Sequence, residues 1–485
     1  MIAVLVVAAA LGGGAEDIPT LFREARQAEQ RRDFAGALEK YSAVLRMDAT
    51  IAEVWANQGL VLYELGRHRE ALHAFEKAVE LKPQLTSPQL FLGLEYLRFE
   101  EPRKALAPLG AALKLDPANA QTGYALADAQ AKLGHFEEAI ALYRGVLSRQ
   151  PGMEEARYAL AIAYLNFSKS IARKLIDSGS GYGKLLLAEY LAIGDANEAA
   201  EANYQAALEA LPESGEVRGA LRAFYLRRNQ PEKAEAISDM EPDSAPDPLA
   251  PALALWRDGS YEEVFQSLLP SDTQRERYWL SLTCYALARE ILVESVRRNP
   301  NSLHACLLLA DLAKNAGDSA AAQAAYEKAA RLAPDNVEAQ LLFIRFIAPR
   351  DPAAALEYTQ QAADRSDNEE LNVELGMQLL KSDNAGAAAG RFRRALEREP
   401  DLAKAHAGLA DAYAKSGEFA PAIAEMKHAI AADPDGSWHY RLATWYKEVG
   451  RLAEAREAFA ATAQIKAQQR AKEEARFLEL TSPDR

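Results

Sequence analysis

The sequence is poor in residues that carry chemistry. Cysteine occurs only at Cys284 and Cys306. Two thiols are too few for a disulfide framework or a four-cysteine zinc site. Buried free thiols are expected, with a single disulfide as the alternative if the chain is exported and their helices abut. The seven histidines are scattered. His68 and His73 lack the spacing and intervening glutamate of a helical zinc site, and His406, His428 and His439 fall in different predicted helices. No serine sits in a nucleophile elbow, and Cys284 has no histidine near it in sequence. Glycine clusters once beyond the first residues, in Asp177–Lys184. A phosphate loop needs glycine five residues before Gly183-Lys184 and a hydroxyl after it; Ser178 and Leu185 stand there, and no strand precedes. The run reads as a loop. Glu100-Glu101 and Glu137-Glu138 sit where helices turn, as solvated pairs and helix-start charges. Strand signals are nearly absent, so the fold class is all-α.

Long apolar runs are missing too, except at the start. Met1–Leu11 reads MIAVLVVAAAL, too short to span a bilayer. It fits the core of a secretory signal, with Gly13-Gly14-Ala15 as small residues at a cleavage site, although no lysine or arginine precedes it. A signal peptide over 1–15 and export to the periplasm are expected. The alternative is a cytoplasmic protein that opens on an apolar helix. No cysteine follows the run, which argues against a lipoprotein anchor. A net charge of −14 argues against nucleic acid, whose phosphates such a surface repels. At 485 residues and 49% hydrophobic content, the chain exceeds one ordinary domain unless it is a repeat array.

A repeat is what the chain does contain. Ala52–Leu85 reads AEVWANQGLVLYELGRHREALHAFEKAVELKPQL. Trp55, Gly59 and Leu62 share one face of a first helix; Ala71, Phe75 and Ala78 share one face of a second. Gly66 separates the two helices, and Pro83 stops the second. Neither helix buries its apolar face alone, so the unit needs copies on both sides. The copies recur at 18–51, 86–119, 120–153, 181–214, 215–248, 303–336, 369–402 and 403–436, with a shorter one at 337–368 and a last at about 436–469. The register slips after 153: Glu154–Phe167 predicts a first helix with only a short partner. Four prolines, Pro242, Pro246, Pro248 and Pro251, predict a linker or long loop. Residues 249–302 read as two degenerate units. Gln468–Leu480, rich in charge, is expected to cap the stack. The expected organisation is an N-terminal array over 18–248, a junction over 249–302, a C-terminal array over 303–469, and a capping helix and tail over 470–485.

The spacing resembles the tetratricopeptide repeat: Trp55 at the fourth position, Gly59 at the eighth, Ala71 at the twentieth, Phe75 at the twenty-fourth, Ala78 at the twenty-seventh and Pro83 at the thirty-second. Gln58 and Leu62 replace the usual leucine and tyrosine. The resemblance implies a right-handed superhelical solenoid of stacked antiparallel helix pairs. It also implies a concave groove, lined by first helices, that binds peptides or partner proteins. Positions 2, 5, 9, 12 and 13 then give candidate groove residues Leu60, Tyr63, Glu64, Leu94, Arg98, Tyr124, Asp128 and Lys132. Later in the chain they give Asp311, Lys314, Asp411, Lys415, Tyr440 and Lys447. A chaperone-type carboxylate clamp is not supported. Asn57 matches one of its five positions, but Phe22, Arg26, Ser87 and Phe91 occupy the other four.

The expected function is therefore that of a non-catalytic interaction scaffold without cofactor or metal, with an accessory subunit of an envelope enzyme or export assembly as the alternative. Self-association stays open. A hydrolase or transferase hidden in 249–302 would have to use residues such as Asp272 or Arg277.

Overall fold

The helix boundaries follow from turn chemistry repeated at one place in the unit. In the computed structural model, Gly66, Gly134, Gly317, Gly417 and Gly450 all have φ between 70° and 82°. Each is the fifteenth residue of its unit, where the first helix must reverse into the second. Only a left-handed conformation turns the chain there, and glycine adopts it without a Cβ clash. Four units lack the glycine and adopt the conformation anyway: Arg32, Glu100, Asn229 and Asp383 have φ of 58°, 57°, 54° and 58°. The turn is thus imposed by the packing of the two helices it joins.

The structure describes residues 17–193, 196–237, 247–269 and 271–481, with side chains described as far as 468. The expected signal peptide lies outside the described residues, as does most of the proline-rich stretch. Among the described residues every regular element is a helix. Helices α1 (Ile18–Gln30), α2 (Phe34–Met47), α3 (Ala52–Glu64) and α4 (His68–Leu81) form two pairs. Next come α5 (Thr86–Arg98), α6 (Pro102–Leu115), α7 (Ala120–Leu133), α8 (Phe136–Arg149) and α9 (Glu154–Asp177). They are followed by α10 (Gly181–Ile193), α11 (Asn197–Ala210), α12 (Gly215–Arg227), α13 (Pro231–Glu235), α14 (Ala250–Arg257) and α15 (Tyr261–Ser267). Then come α16 (Gln274–Arg298), α17 (Leu303–Asn315), α18 (Ser319–Leu332), α19 (Val337–Ile347) and α20 (Pro352–Ser366). The last are α21 (Glu369–Lys381), α22 (Ala385–Arg398), α23 (Ala403–Lys415), α24 (Phe419–Ala429), α25 (Ser437–Glu448) and α26 (Leu452–Thr481). The expected capping segment continues α26 as helix through Thr481.

The fold is an all-α solenoid of stacked antiparallel helix pairs. Its residues gather in two compact units, one from the described parts of Met1–Pro83 and Ala333–Arg485, the other from Gln84–Leu332.

In the first unit, small residues set the helix spacing. A Cβ added to Gly59 would lie 2.6 Å from the Phe75 ring, and one added to Gly376 would lie 2.7 Å from the Phe392 ring. Gly408 approaches Phe392 from the following helix, where a Cβ would lie 2.3 Å from the ring. Phe75, Phe392, Ala71, Ala78, Ala388 and Ala395 are completely buried. The large residue at position 24 therefore fills the space left by a glycine at position 8, as jigsaw packing requires.

In the second unit, the series of pairs is interrupted. Instead of a short first helix with a short partner, residues 154–177 form one continuous helix, α9, of 24 residues. Its partner is α16, of 25 residues, which arrives from much later in the chain. The two run antiparallel. The hydroxyls of Ser168 and Ser281 each donate to the other's backbone carbonyl, at 2.8 and 3.1 Å. Helices α10–α15 are inserted between them. Helix α17 then packs on both α9 and α16: the Tyr158 hydroxyl donates to Asp311 at 2.9 Å, and Ser302 donates to Glu154 at 2.6 Å.

The inserted helices are fastened to α16. Arg275 donates to Glu216 from Nε at 2.6 Å and to both oxygens of Asp247 at 2.7 and 2.9 Å. The Tyr278 hydroxyl donates to Glu189 at 3.0 Å. Cys284 and Cys306 are both free and buried, and burial pushes both thiols up from their ordinary pKa.

Candidate functional site

First helices of successive pairs line up side by side, so residues at matching positions face a common channel. In the C-terminal pairs of the first unit this produces an open cavity of about 550 Å³. Helix α21 supplies Met377, Leu380 and Lys381, which are positions 9, 12 and 13 of their unit. Helix α23 supplies Asp411, Ala414 and Lys415, the same three positions one unit later. Arg441 and Trp445 come from α25, and Phe419 opens α24.

The cavity has an apolar part and a charged part. Met377 is 41% exposed, high for a side chain of that type, and Trp445 is nearly buried. On the charged side, Arg441 forms an ion pair with Asp411, whose carboxyl is raised by burial and pulled back by the guanidinium. Lys415 donates from Nζ to the Leu380 carbonyl at 2.7 Å and to Asp383 at 2.5 Å. That tie connects the end of α23 to the end of α21.

The sequence-derived candidates divide among several roles. Asp411 and Lys415 line the cavity. Tyr440 is exposed, with its ring 5.6 Å from Phe459, and Lys447 is exposed in the last turn of α25. On α3, Leu60 and Tyr63 are half-buried and Glu64 is exposed; the Tyr63 ring stands edge-on to His68 at 5.4 Å. In the second unit, Leu94 packs against the core that includes Leu90 and Leu109, while Arg98 is exposed at the end of α5. Tyr124, Asp128 and Lys132 follow one another along one face of α7. Tyr124 packs on Tyr143 at 5.7 Å between ring centres, and Lys132 lies 3.8 Å from Asp128, whose carboxyl is raised by burial.

Asp311 has a structural role. Its carboxylate accepts from Tyr326 at 2.5 Å, Tyr158 at 2.9 Å and Lys314 at 3.2 Å. Of the clamp-related positions, Asn57 is buried and Arg26 is bonded to Glu29 at 2.8 Å. Asp272 and Arg277 flank the capped start of α16: the Asp272 amide donates to Glu276 at 2.9 Å, and Arg277 donates to the Ser271 carbonyl at 3.4 Å. Among the described residues no helix is long and apolar enough to cross a membrane.

Seven lining residues escaped the sequence reading: Met377, Leu380, Lys381, Ala414, Phe419, Arg441 and Trp445. The same positional rule that selects Asp411 and Lys415 selects Met377 and Lys381. Arg441 and Trp445 sit at positions 6 and 10 of the last unit, and only the stacking of α25 on α23 and α24 turns them toward the channel.

Sequence comparison supplies the family. Tetratricopeptide repeat models match residues 52–85, 92–154 together with 124–169, 303–336 and 379–440. The BBSome complex member BBS4 homolog of Drosophila melanogaster is 31% identical over 141 residues, which are 29% of this chain and 29% of that protein. Superkiller protein 3 of Schizosaccharomyces pombe is 27% identical over 169 residues, 33% of this chain and 12% of that protein. Cellulose synthase operon protein C of Pseudomonas fluorescens is 34% identical over 142 residues, 26% of this chain and 11% of that protein. The chain thus spans less than a third of the length of each of these relatives.

Among solved structures, that of the MamA protein is 20% identical, covering 41% of this chain and 94% of that one, with a TM-score of 0.30. YrrB, described as a repeat protein with an unusual peptide-binding site, is 20% identical over 43% of this chain and 91% of that one, with a TM-score of 0.30. The Cut9–Hcn1 hetero-tetramer is 18% identical over 93% of this chain and 94% of that one, with a TM-score of 0.32. At these scores the likenesses bear on neither overall shape nor function. With the repeat matched in four stretches across the chain and most described helices in consecutive pairs, the chain is a tetratricopeptide repeat protein.

Proposed function

We propose that the protein is a non-catalytic scaffold that holds a peptide or an extended segment of a partner protein in the groove formed by α21, α23 and α25. The observation that carries this reading is the cavity of about 550 Å³ with Met377, 41% exposed, on its wall. An apolar side chain left in water beside an aromatic floor gains by being covered.

A photo-crosslinking residue at position 377, with a second one at Gly390 as control, tests the reading in the native host. Gly390 is exposed, with open space around it. Adducts formed from position 377 and absent from position 390 support it, provided that Trp445→Ala abolishes them. Equal labelling from both positions refutes it.

A second reading is an accessory role beside an enzyme assembly of the cell envelope. It draws on the likeness over 26% of the chain to a protein named for a cellulose synthase operon and on the signal-like Met1–Leu11. N-terminal sequencing of the protein recovered from the periplasm tests the export that this reading needs. An uncleaved chain found only in the cytoplasm would rule it out.

A further inference from the structure

We propose that the occupant of the α21–α23–α25 groove is an acidic peptide segment that also carries a large apolar side chain. The proposal rests on the scaffold reading above and specifies the ligand of that same groove.

The lining residues carry three cations, Lys381, Lys415 and Arg441, against one carboxylate, Asp411, with Asp383 paired to Lys415 from outside the lining. This is a local reversal of sign in a chain whose net charge is −14. The one carboxylate is already committed. Asp411 is tied to Arg441, and its side chain is only 19% exposed. The donors are not used up. A guanidinium has five N–H groups, and a single carboxylate takes two at most; the Arg441 side chain is still 33% exposed. Lys415 spends two of its three ammonium hydrogens, on Leu380 and Asp383. Lys381 is exposed and has no hydrogen-bond or ion-pair partner among the described residues.

What remains to be satisfied in the groove is therefore cationic and donor-only, which calls for acceptors of negative charge. The distant negative charge of the chain does little against this. At physiological salt, charges further away than about 8 Å are largely screened.

The same groove asks for an apolar group. Met377 lies one turn before Lys381 on α21, and Leu380, Ala414, Phe419 and Trp445 complete the surface. A carboxylate at Lys381 or Lys415 would place a neighbouring side chain of the ligand over Met377 and Trp445. Such spacing selects acidic residues interleaved with leucine- or phenylalanine-sized ones. The two lysines lie at position 13 of their units, which no clamp residue occupies, and Arg441 lies at position 6 of the last unit.

The test uses the full chain and two fluorescein-labelled ten-residue peptides of alternating polar residue and leucine. In one the polar residue is glutamate, in the other glutamine. Fluorescence anisotropy should show the glutamate peptide binding at least tenfold tighter, with the margin shrinking as salt rises. Lys381→Glu, a change on an exposed side chain checked by circular dichroism, should weaken the glutamate peptide about tenfold and leave the glutamine peptide unchanged. Trp445→Ala should weaken both peptides. Equal binding of the two peptides, indifference of the glutamate peptide to Lys381→Glu, or no binding of either peptide overturns the proposal. In any of those cases, adducts that still form from position 377 leave the scaffold reading standing; loss of the adducts as well removes both.

Discussion

Two glycines on neighbouring helices should respond to the same substitution with opposite sign. Gly408 in α23 and Gly390 in α22 are both helical, so alanine at either gains about 1 kcal/mol of helix propensity. At Gly390 the new methyl meets nothing within 4 Å, and the whole gain should appear as stabilisation. At Gly408 it would lie 2.3 Å from Cε1 and 2.4 Å from Cζ of Phe392. The ring has no room to move: it is fully buried, and Gly376 leaves only enough space on its other side for the ring itself, with a Cβ there placed at 2.7 Å. Forcing a methyl into such a contact costs about 1–3 kcal/mol, which leaves Gly408→Ala destabilising by up to about 2 kcal/mol after the propensity gain. The two variants should then differ by roughly 1–3 kcal/mol. Urea titration followed by far-UV circular dichroism and by tryptophan emission measures this. A repeat array need not unfold in one step, so the midpoints of the same transition are compared. Adding Phe392→Leu to Gly408→Ala should recover part of the loss. If both glycine variants shift the midpoint the same way, the position-8 packing argument is wrong.

Four further outcomes follow from other parts of the molecule. Arg32→Gly and Glu100→Gly should each stabilise by about 1 kcal/mol in the same titration, because both residues now hold a left-handed φ that costs an L side chain about that much; an unchanged or lower midpoint would count against turns imposed by helix packing. Ala71→Leu, at a position with no exposed surface, should cost about 1–3 kcal/mol, and an unchanged midpoint would contradict the assigned register. Burial raises the Glu189 carboxyl to about 7, with the Tyr278 hydroxyl and Arg227 opposing the shift and Tyr204 close by. The folded chain therefore keeps a proton that the unfolded chain has released between about pH 4.5 and 7, so this group's contribution is full below that window and is lost as pH rises through it, by at most about 3 kcal/mol. Glu189→Gln should remove that slope in the difference between wild type and variant, measured by urea unfolding at pH 5 and pH 8. Finally, replacing 178–273 by a short flexible loop should leave α9 and α16 paired, since they are antiparallel and their free ends adjoin; a trimmed chain that exposes both cysteines to a thiol reagent would show that the inserted helices are needed to hold the pair.

How far the sequence could be read depended on the range of the interaction involved. The groove was legible where one helix face decided it, at Asp411 and Lys415, and by the same rule at Met377 and Lys381. It was not legible at Arg441 and Trp445, whose direction depends on how α25 stacks. Asp311 occupies a groove position by count, yet Tyr158 and Tyr326 take up its carboxylate.

By itself, the sequence determined the helical class, the 34-residue period, the reversal at the fifteenth residue and the pairing of a small residue with a large one across each helix hairpin. All of these are contacts within one unit or between adjacent units, and residue spacing encodes them directly. Only the tertiary structure decided that α9 takes α16 as its partner and that the α10–α15 stretch is an insertion. The apolar faces of α9 and its near neighbours fit several partners equally well by pattern. Which face stays uncovered until residues 274–298 arrive is settled by three-dimensional packing, where no local period records it.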